Sequence, residues 1–214
     1  MQVVKKVLKA SGLKQIRKQV KINSFGGKKH ALHLDDNVFS FNATTISLQQ
    51  ITHFKFGMQV MQVGMFLVGR KYQVSFKTPT QQVDLVFRSY FKIGNKYFDK
   101  LFYKIINGIW LRIGDRLLEQ AIKEIMSGGI IAVGNCAANR KGITLNLDAG
   151  FTKKQYLIPW PDVSYDKMFD RLVINSKSNN RIWMKLPYLE HWNVDVLTEL
   201  LEWIFKEGGL SELE

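Results

Sequence analysis

Two stretches of this 214-residue chain are laid out alike, and that likeness limits what the chain can fold into. Each begins at a basic pair, Lys28-Lys29 or Arg140-Lys141, and runs through alternating apolar positions, Leu32 and Leu34 in one and Leu145 and Leu147 in the other. Alternation of this kind reads as a half-buried strand. An acidic turn follows, Asp35-Asp36-Asn37 or Asp148-Ala149-Gly150, suited to Asx hydrogen bonding and to positive φ. The chain then returns through an aromatic, Phe41 or Phe151, to a closing segment in which Ile46 matches Ile158, Leu48 matches Trp160 and Ile51 matches Val163.

The match extends both ways. Upstream, Gln19-Val20-Lys21-Ile22 stands where Ile130-Ile131-Ala132-Val133 stands; downstream, Val83 to Phe87 corresponds to Ile182 to Leu186, and an apolar-periodic helix follows each. A period of roughly one hundred residues is too long for a solenoid, whose repeats run about 20 to 50 residues. The reading is therefore two similar small domains in tandem, residues 1–108 and 109–214, each inside the usual size range for a domain. Several short strands followed by one helix give an α+β class, mainly β, with small barrels or sandwiches each closed by its C-terminal helix. This order, with Ile158-Pro159-Trp160-Pro161-Asp162-Val163 followed by a strand pair, resembles bacterial members of the pleckstrin-homology-like superfold. The resemblance implies a Trp on the closing helix, a place Trp203 can fill in the second unit, with Phe102 or Tyr103 nearest to it in the first.

Charge is distributed unevenly. The formal net charge is +13, yet residues 1–34 carry nine Lys and Arg and no acid, while residues 190–214 carry seven acids against Lys206 alone. Such a bias favours polyanionic partners, or solubility, or a meeting of basic start and acidic end between two copies. Residues 3–18 read as a basic amphipathic helix broken at Ser11-Gly12, able to pack on its own domain or to lie on an anionic membrane. In lipid-binding pleckstrin-homology domains the loop between the first two strands holds headgroup phosphates. The resemblance thus marks Lys28 and Lys29, with Lys21 beside them, and Arg140 and Lys141 as candidate phosphate or lipid ligands. The alternative is an ordinary solvated hairpin.

Met58, Val60, Met61, Val63, Met65 and Phe66 crowd a segment with Gly57, Gly64 and Gly69 as its turns or bulges. Methionine-rich surfaces adapt to partners, so these residues form either an interface or the core of the first barrel. Arg88, Lys92, Lys96, Lys100 and Lys104 recur every four residues, a basic stripe that could meet nucleic acid, with Phe91, Tyr97, Phe98, Leu101 and Phe102 expected on the buried side. Asn193 to Lys206 read as the closing helix, ended by Gly208-Gly209, with a frayed tail from Ser211 to Glu214.

No nucleotide-binding glycine loop, nucleophile elbow or His-Glu-x-x-His pattern is present. His30 and His33 fall on opposite faces of a strand and cannot easily share a metal, and Cys136 is the single cysteine. No cofactor and no catalytic set is expected. With no run of eighteen apolar residues and no signal-peptide core, a cytoplasmic location is expected, peripheral on the inner face of the membrane if the basic surface meets lipid. The leading expectation is a non-catalytic intracellular module that engages an anionic membrane surface or a protein partner. Nucleic-acid binding through Lys92 to Lys104, self-association, and an enzyme with an unrecognised pocket are the alternatives.

Overall fold

The computed structural model describes residues 15–25, 29–149 and 152–213. The chain is α+β, mainly strand, in two compact units, Met1–Asp115 and Arg116–Glu214. In the first unit β1 (Ile16–Lys21), β2 (Lys29–Leu34), β3 (Val38–Phe41) and β4 (Thr44–Ser47) form an antiparallel meander. A second antiparallel sheet holds β5 (His53–Val63), β6 (Phe66–Lys77) and β7 (Gln82–Tyr90), and α1 (Asn95–Ile109) follows. The second unit has α2 (Asp115–Met126), then β8 (Ile131–Val133), β9 (Cys136–Asn139), β10 (Gly142–Ala149) and β11 (Thr152–Pro159) in one sheet. Its other sheet is β12 (Val163–Lys167), β13 (Arg171–Ser176) and β14 (Trp183–Pro187), and α3 (Val194–Lys206) and α4 (Gly209–Leu213) complete it. None of the four sheets closes on itself.

Strand alternation makes each core. Along β7, Val83, Leu85, Phe87 and Ser89 are buried while Gln82, Asp84 and Arg88 are exposed, the period of two that turns one face inward. Those side chains meet α1, whose buried face is Phe98, Leu101, Phe102, Ile105 and Ile106. Tyr72 stacks on Phe87 at 5.1 Å between ring centroids, and Phe87 on Phe98 at 5.6 Å. Fully burying each such ring contributes about 1.5–3 kcal/mol, with aromatic geometry adding up to about 1.5. In the second unit Leu197, Leu200, Leu201 and Ile204 of α3 pack with Ile143, Leu145, Trp160, Leu172 and Leu186, and Trp203 lies in the same core.

The turn chemistry follows the residue types. Asp35 Oδ1 accepts from the amides of Asn37 and Val38, each at 2.8 Å, and its other oxygen meets His33 Nε2 at 2.8 Å. Those amide bonds first, then His33, pull the carboxyl down to about 2. Leu48 and Trp160 each open a short 3-10 turn after their fourth strand, and Ile51 and Val163 each follow it. Trp160 Nε1 donates to the carbonyls of Asn139 and Arg140, at 3.1 and 3.2 Å.

Several expectations are corrected. The acidic turn at Asp35 joins β2 to β3, and the chain reverses again at Asn42-Ala43, where Asn42 takes a φ of 56°, before β4. By order β10 therefore corresponds to β3 and not to the Leu32 and Leu34 strand, since a similar acidic turn disguises one extra hairpin. Of the expected N-terminal helix, residues 3–14 lie outside the described residues, and Ile16 to Lys18 are strand, paired with Leu34 to Leu32. Residue 108 lies inside α1, where a Cβ added to Gly108 would stand 2.9 Å from a Leu34 methyl. Of the expected frayed tail, Ser211 to Leu213 belong to α4, with Leu213 buried in the second core, and Glu214 lies outside the described residues.

Candidate binding surface

Lys21 and Lys29 face each other across β1 and β2 and are exposed; Lys28 lies outside the described residues. Like charges directly opposite repel, so this pair gains from any anion that settles between them. In the second unit Asn139 Oδ1 accepts from the Lys141 amide at 2.8 Å, which tightens the turn. Arg140 Nε donates to the Leu213 carbonyl at 3.0 Å, so that guanidinium is engaged within its own unit, while Lys141 is exposed.

The methionine-rich segment is a hairpin, and of its three glycines Gly57 continues β5 opposite Gln73. Gly64, at a φ of 59°, makes the turn. Met58 and Met61 are half-buried, but Val60 is exposed, and beyond it Val63, Met65, Phe66 and Leu67 are 67, 95, 78 and 60% exposed. These side chains are surface, not core. Gly69 marks the end of the three-stranded region: it pairs with Tyr90, and a Cβ there would stand 2.0 Å from the Ser89 carbonyl. Only glycine lets β7 approach so closely.

Three residues outside the sequence-derived set join this surface: Phe25, Phe91 and Ile93, all exposed. Phe25 stacks on Tyr90 at 5.4 Å and approaches Phe91 at 6.1 Å. The Tyr90 amide donates to Ser24 Oγ at 2.9 Å, and backbone bonds link Ile22 and Ser24 to Arg88. Phe91 was expected on the buried side of a basic stripe. It is turned out because Phe91 and Lys92 both take left-handed φ, 49° and 63°, a conformation that bulky residues hold only where the surroundings impose it. The Phe91 amide donating to the Val68 carbonyl at 2.9 Å is part of that constraint. No local pattern signals it, although Phe25 precedes Gly26-Gly27 in the sequence.

Charge surrounds these side chains. All five basic residues of the expected stripe are exposed, but Arg88 is on β7 and Lys92 in the turn after it, so only Lys96, Lys100 and Lys104 share α1; Tyr97, expected on the buried side, is exposed beside them, as is Tyr103. Among the described residues no carboxylate lies within 4 Å of any of these five cations. Asp99, on the same helix, is committed elsewhere: Arg70 donates to both its oxygens at 3.1 Å, and Tyr72 donates at 2.6 Å. Burial, and then that bond to Asp99, push Tyr72 up to about 12, so it remains a donor. Counted over whole units, Met1–Asp115 has 19 Lys and Arg against 5 Asp and Glu, a net of +14, and Arg116–Glu214 has 12 against 13, a net of −1.

Among the described residues no three His, Cys, Asp or Glu side chains are grouped as metal ligands, and no helix is long and apolar enough to cross a membrane. Cys136 is buried in β9, its Sγ donating to the Val133 carbonyl at 3.1 Å, and burial pushes the thiol up to about 12. A thiol held in that form is a poor nucleophile. Comparison of the chain with protein-family models, with curated proteins and with solved structures gives no match.

Proposed function

We propose that this chain is a binding module of two pleckstrin-homology-like units, of which the first docks on an anionic membrane surface. The fold reading rests on the shared order of elements, a four-stranded meander, a 3-10 turn, a three-stranded sheet and a closing helix in each unit. The observation that carries the function is the charge partition: a net of +14 in the first unit against −1 in the second. Solubility alone would not require the charge to be gathered in one unit. Each Lys or Arg brought close to an anionic leaflet contributes about 1 kcal/mol, so a few of the exposed cations suffice for docking. A peripheral position on the inner face of a membrane follows from this reading.

Nucleic acid is the second reading, favoured by Tyr97 and Tyr103 exposed beside Lys96, Lys100 and Lys104. Aromatics beside a cationic track suit stacking on unpaired bases. The test is co-sedimentation of the full chain with phosphatidylcholine vesicles, with and without phosphatidylserine, at low and physiological salt, beside a single-stranded DNA shift assay. Retention on the anionic vesicles at physiological salt, weakened several-fold by Lys92→Glu with Lys96→Glu, is the expected result. Binding to DNA without binding to vesicles would move the function to the second reading.

A further inference from the structure

The β5–β6 hairpin runs past the rest of its sheet. Pairing with β7 stops at Gly69 and Tyr90, whereas β5 and β6 stay paired as far as Val63 and Phe66. At about 3.3 Å per residue, the ribbon from Gly69 to Met65 projects roughly 13 Å beyond the last three-stranded contact. It contains no charge, since no Asp, Glu, Lys or Arg stands between Lys55 and Arg70.

Both faces of this ribbon carry exposed apolar side chains, with Gln62 the polar residue among them. Val63 and Phe66 are opposite each other and share one face; Leu67, opposite Gln62, lies on the other, and Met65 caps the turn. A flat protein partner covers one face of a ribbon and leaves the second in water. A medium that surrounds the tip covers both. Cross-strand pairing down to the turn bonds the inward-facing main-chain groups, whereas the outward-facing ones along both edges need polar partners, which suits the headgroup boundary and not the hydrocarbon core. At the base stand Phe91 and Ile93, with Arg88, Lys92 and Lys96 carrying charge that no described carboxylate neutralises.

The second unit supplies a contrast. Its corresponding hairpin, β12–β13, also turns through an exposed Met-Phe pair, Met168 and Phe169. There the flanking cations are spoken for: Lys167 lies 3.5 Å from Glu199 and 3.8 Å from Glu202, and Arg171 is 2.6 Å from Asp170. An apolar tip with neutralised cations has no reason to prefer an anionic surface.

We infer that the β5–β6 tip is a membrane wedge, with Met65, Phe66 and Leu67 entering the headgroup and acyl boundary of an anionic bilayer while Lys92 and Lys96 hold its headgroups. Interfacial segments bury their apolar face about 5–10 Å deep, within the reach of this ribbon. The inference rests on the membrane reading above and adds to it a specific element and depth.

The test uses the full chain with Met65→Cys carrying an environment-sensitive nitrobenzoxadiazole label, since the native Cys136 is buried. Vesicles of phosphatidylcholine, with or without phosphatidylserine, are titrated in. Alongside it, Met65→Glu with Phe66→Glu is compared with Met168→Glu with Phe169→Glu. The label is expected to brighten and shift to the blue on anionic vesicles only. The first pair of changes should weaken vesicle binding at least tenfold and the second should leave it unchanged. All four positions are exposed, so thermal unfolding should match the parent chain. If the parent binds no vesicles, the membrane reading falls and the wedge with it. If the parent binds but the label is silent and the tip changes cost nothing, the wedge alone is overturned and docking is purely electrostatic. Concentration-dependent self-association that the tip changes abolish, with the label silent on vesicles, would assign the tip to a second copy of this chain and overturn the wedge.

Discussion

Arg140 Nε donates to the main-chain carbonyl of Leu213 at 3.0 Å, tying the β9–β10 turn to the last helix of the second unit. Leu213 is itself buried, so the arginine and the core hold α4 from two sides. Arg140→Ala should lower stability by about 1.5–3 kcal/mol, the worth of a hydrogen bond to a charged group. Amide exchange over Gly209–Leu213 should quicken more than in α3. Vesicle binding should stay as in the parent, because this guanidinium serves the fold; a matching loss of binding would return Arg140 to the lipid surface.

Asp162 braces the turn after Trp160 in the same unit. Its Oδ2 accepts from the hydroxyls of Ser176 at 2.6 Å and Ser178 at 2.8 Å, and its Oδ1 accepts from the Ser178 amide at 2.7 Å. The Ser176 bond first, then the Ser178 bonds, hold its carboxyl below the ordinary value of 3.8. A depressed folded value means that the stabilisation is complete at pH well above 3.8 and is lost as pH falls through the folded value. Asp162→Ala should therefore melt several degrees lower at pH 7, with the gap to the parent closing in acid. A gap that stays constant with pH would mean that the carboxylate charge contributes nothing.

Much of the fold could be read from the chain alone, for physical reasons that also mark where reading stops. The closing helix declared itself through period 3.6, and the positions of Leu48 and Trp160 through matched spacing to Ile51 and Val163. Period two identifies a strand only when one face is wet, which is why the tip from Val63 to Leu67, apolar on both faces, read equally well as core or surface. The strand mismatch at Leu32 arose because an Asx turn looks the same whichever hairpin it closes. Phe91 was misassigned because left-handed backbone at a phenylalanine is imposed by contacts distant in sequence. The Arg140 bond spans 73 residues and has no local signature at all.

Gly142 begins β10 at a φ of 154°, and a Cβ added there would stand 2.1 Å from the Ile158 carbonyl oxygen. That oxygen belongs to main chain in the paired strand β11, where Gly142 is opposite Pro159, so it cannot swing aside as a side-chain end would. Gly142→Ala should cost on the order of 3 kcal/mol, from overlap and unfavourable backbone together. Urea unfolding followed by the fluorescence of the core tryptophans would read it. A midpoint within experimental scatter of the parent's would show that β10 and β11 can separate at this point.

Asp195 gives the second unit a pH dependence of opposite sign to that of Asp162. It lies in the first turn of α3 with Oδ2 shut off from water and without a hydrogen-bond partner. Burial raises its carboxyl from 3.8 to about 7; Glu199 adds to the rise, and Lys167 of β12 opposes it. Between those two values the folded chain holds a proton that the unfolded chain has released, so stability declines as pH rises through the window. Above about 7 both states are ionised and the loss is complete, at most about 4 kcal/mol for a shift of this size. Asp195→Asn has no such proton to lose. Its melting temperature should change less than the parent's between pH 4 and 7, and the two curves should diverge most at pH 8 in favour of the variant. Comparing slopes removes any constant cost of an unpaired amide. Equal slopes in parent and variant would show that water or Lys167 reaches the carboxylate in the folded state and keeps it ionised throughout.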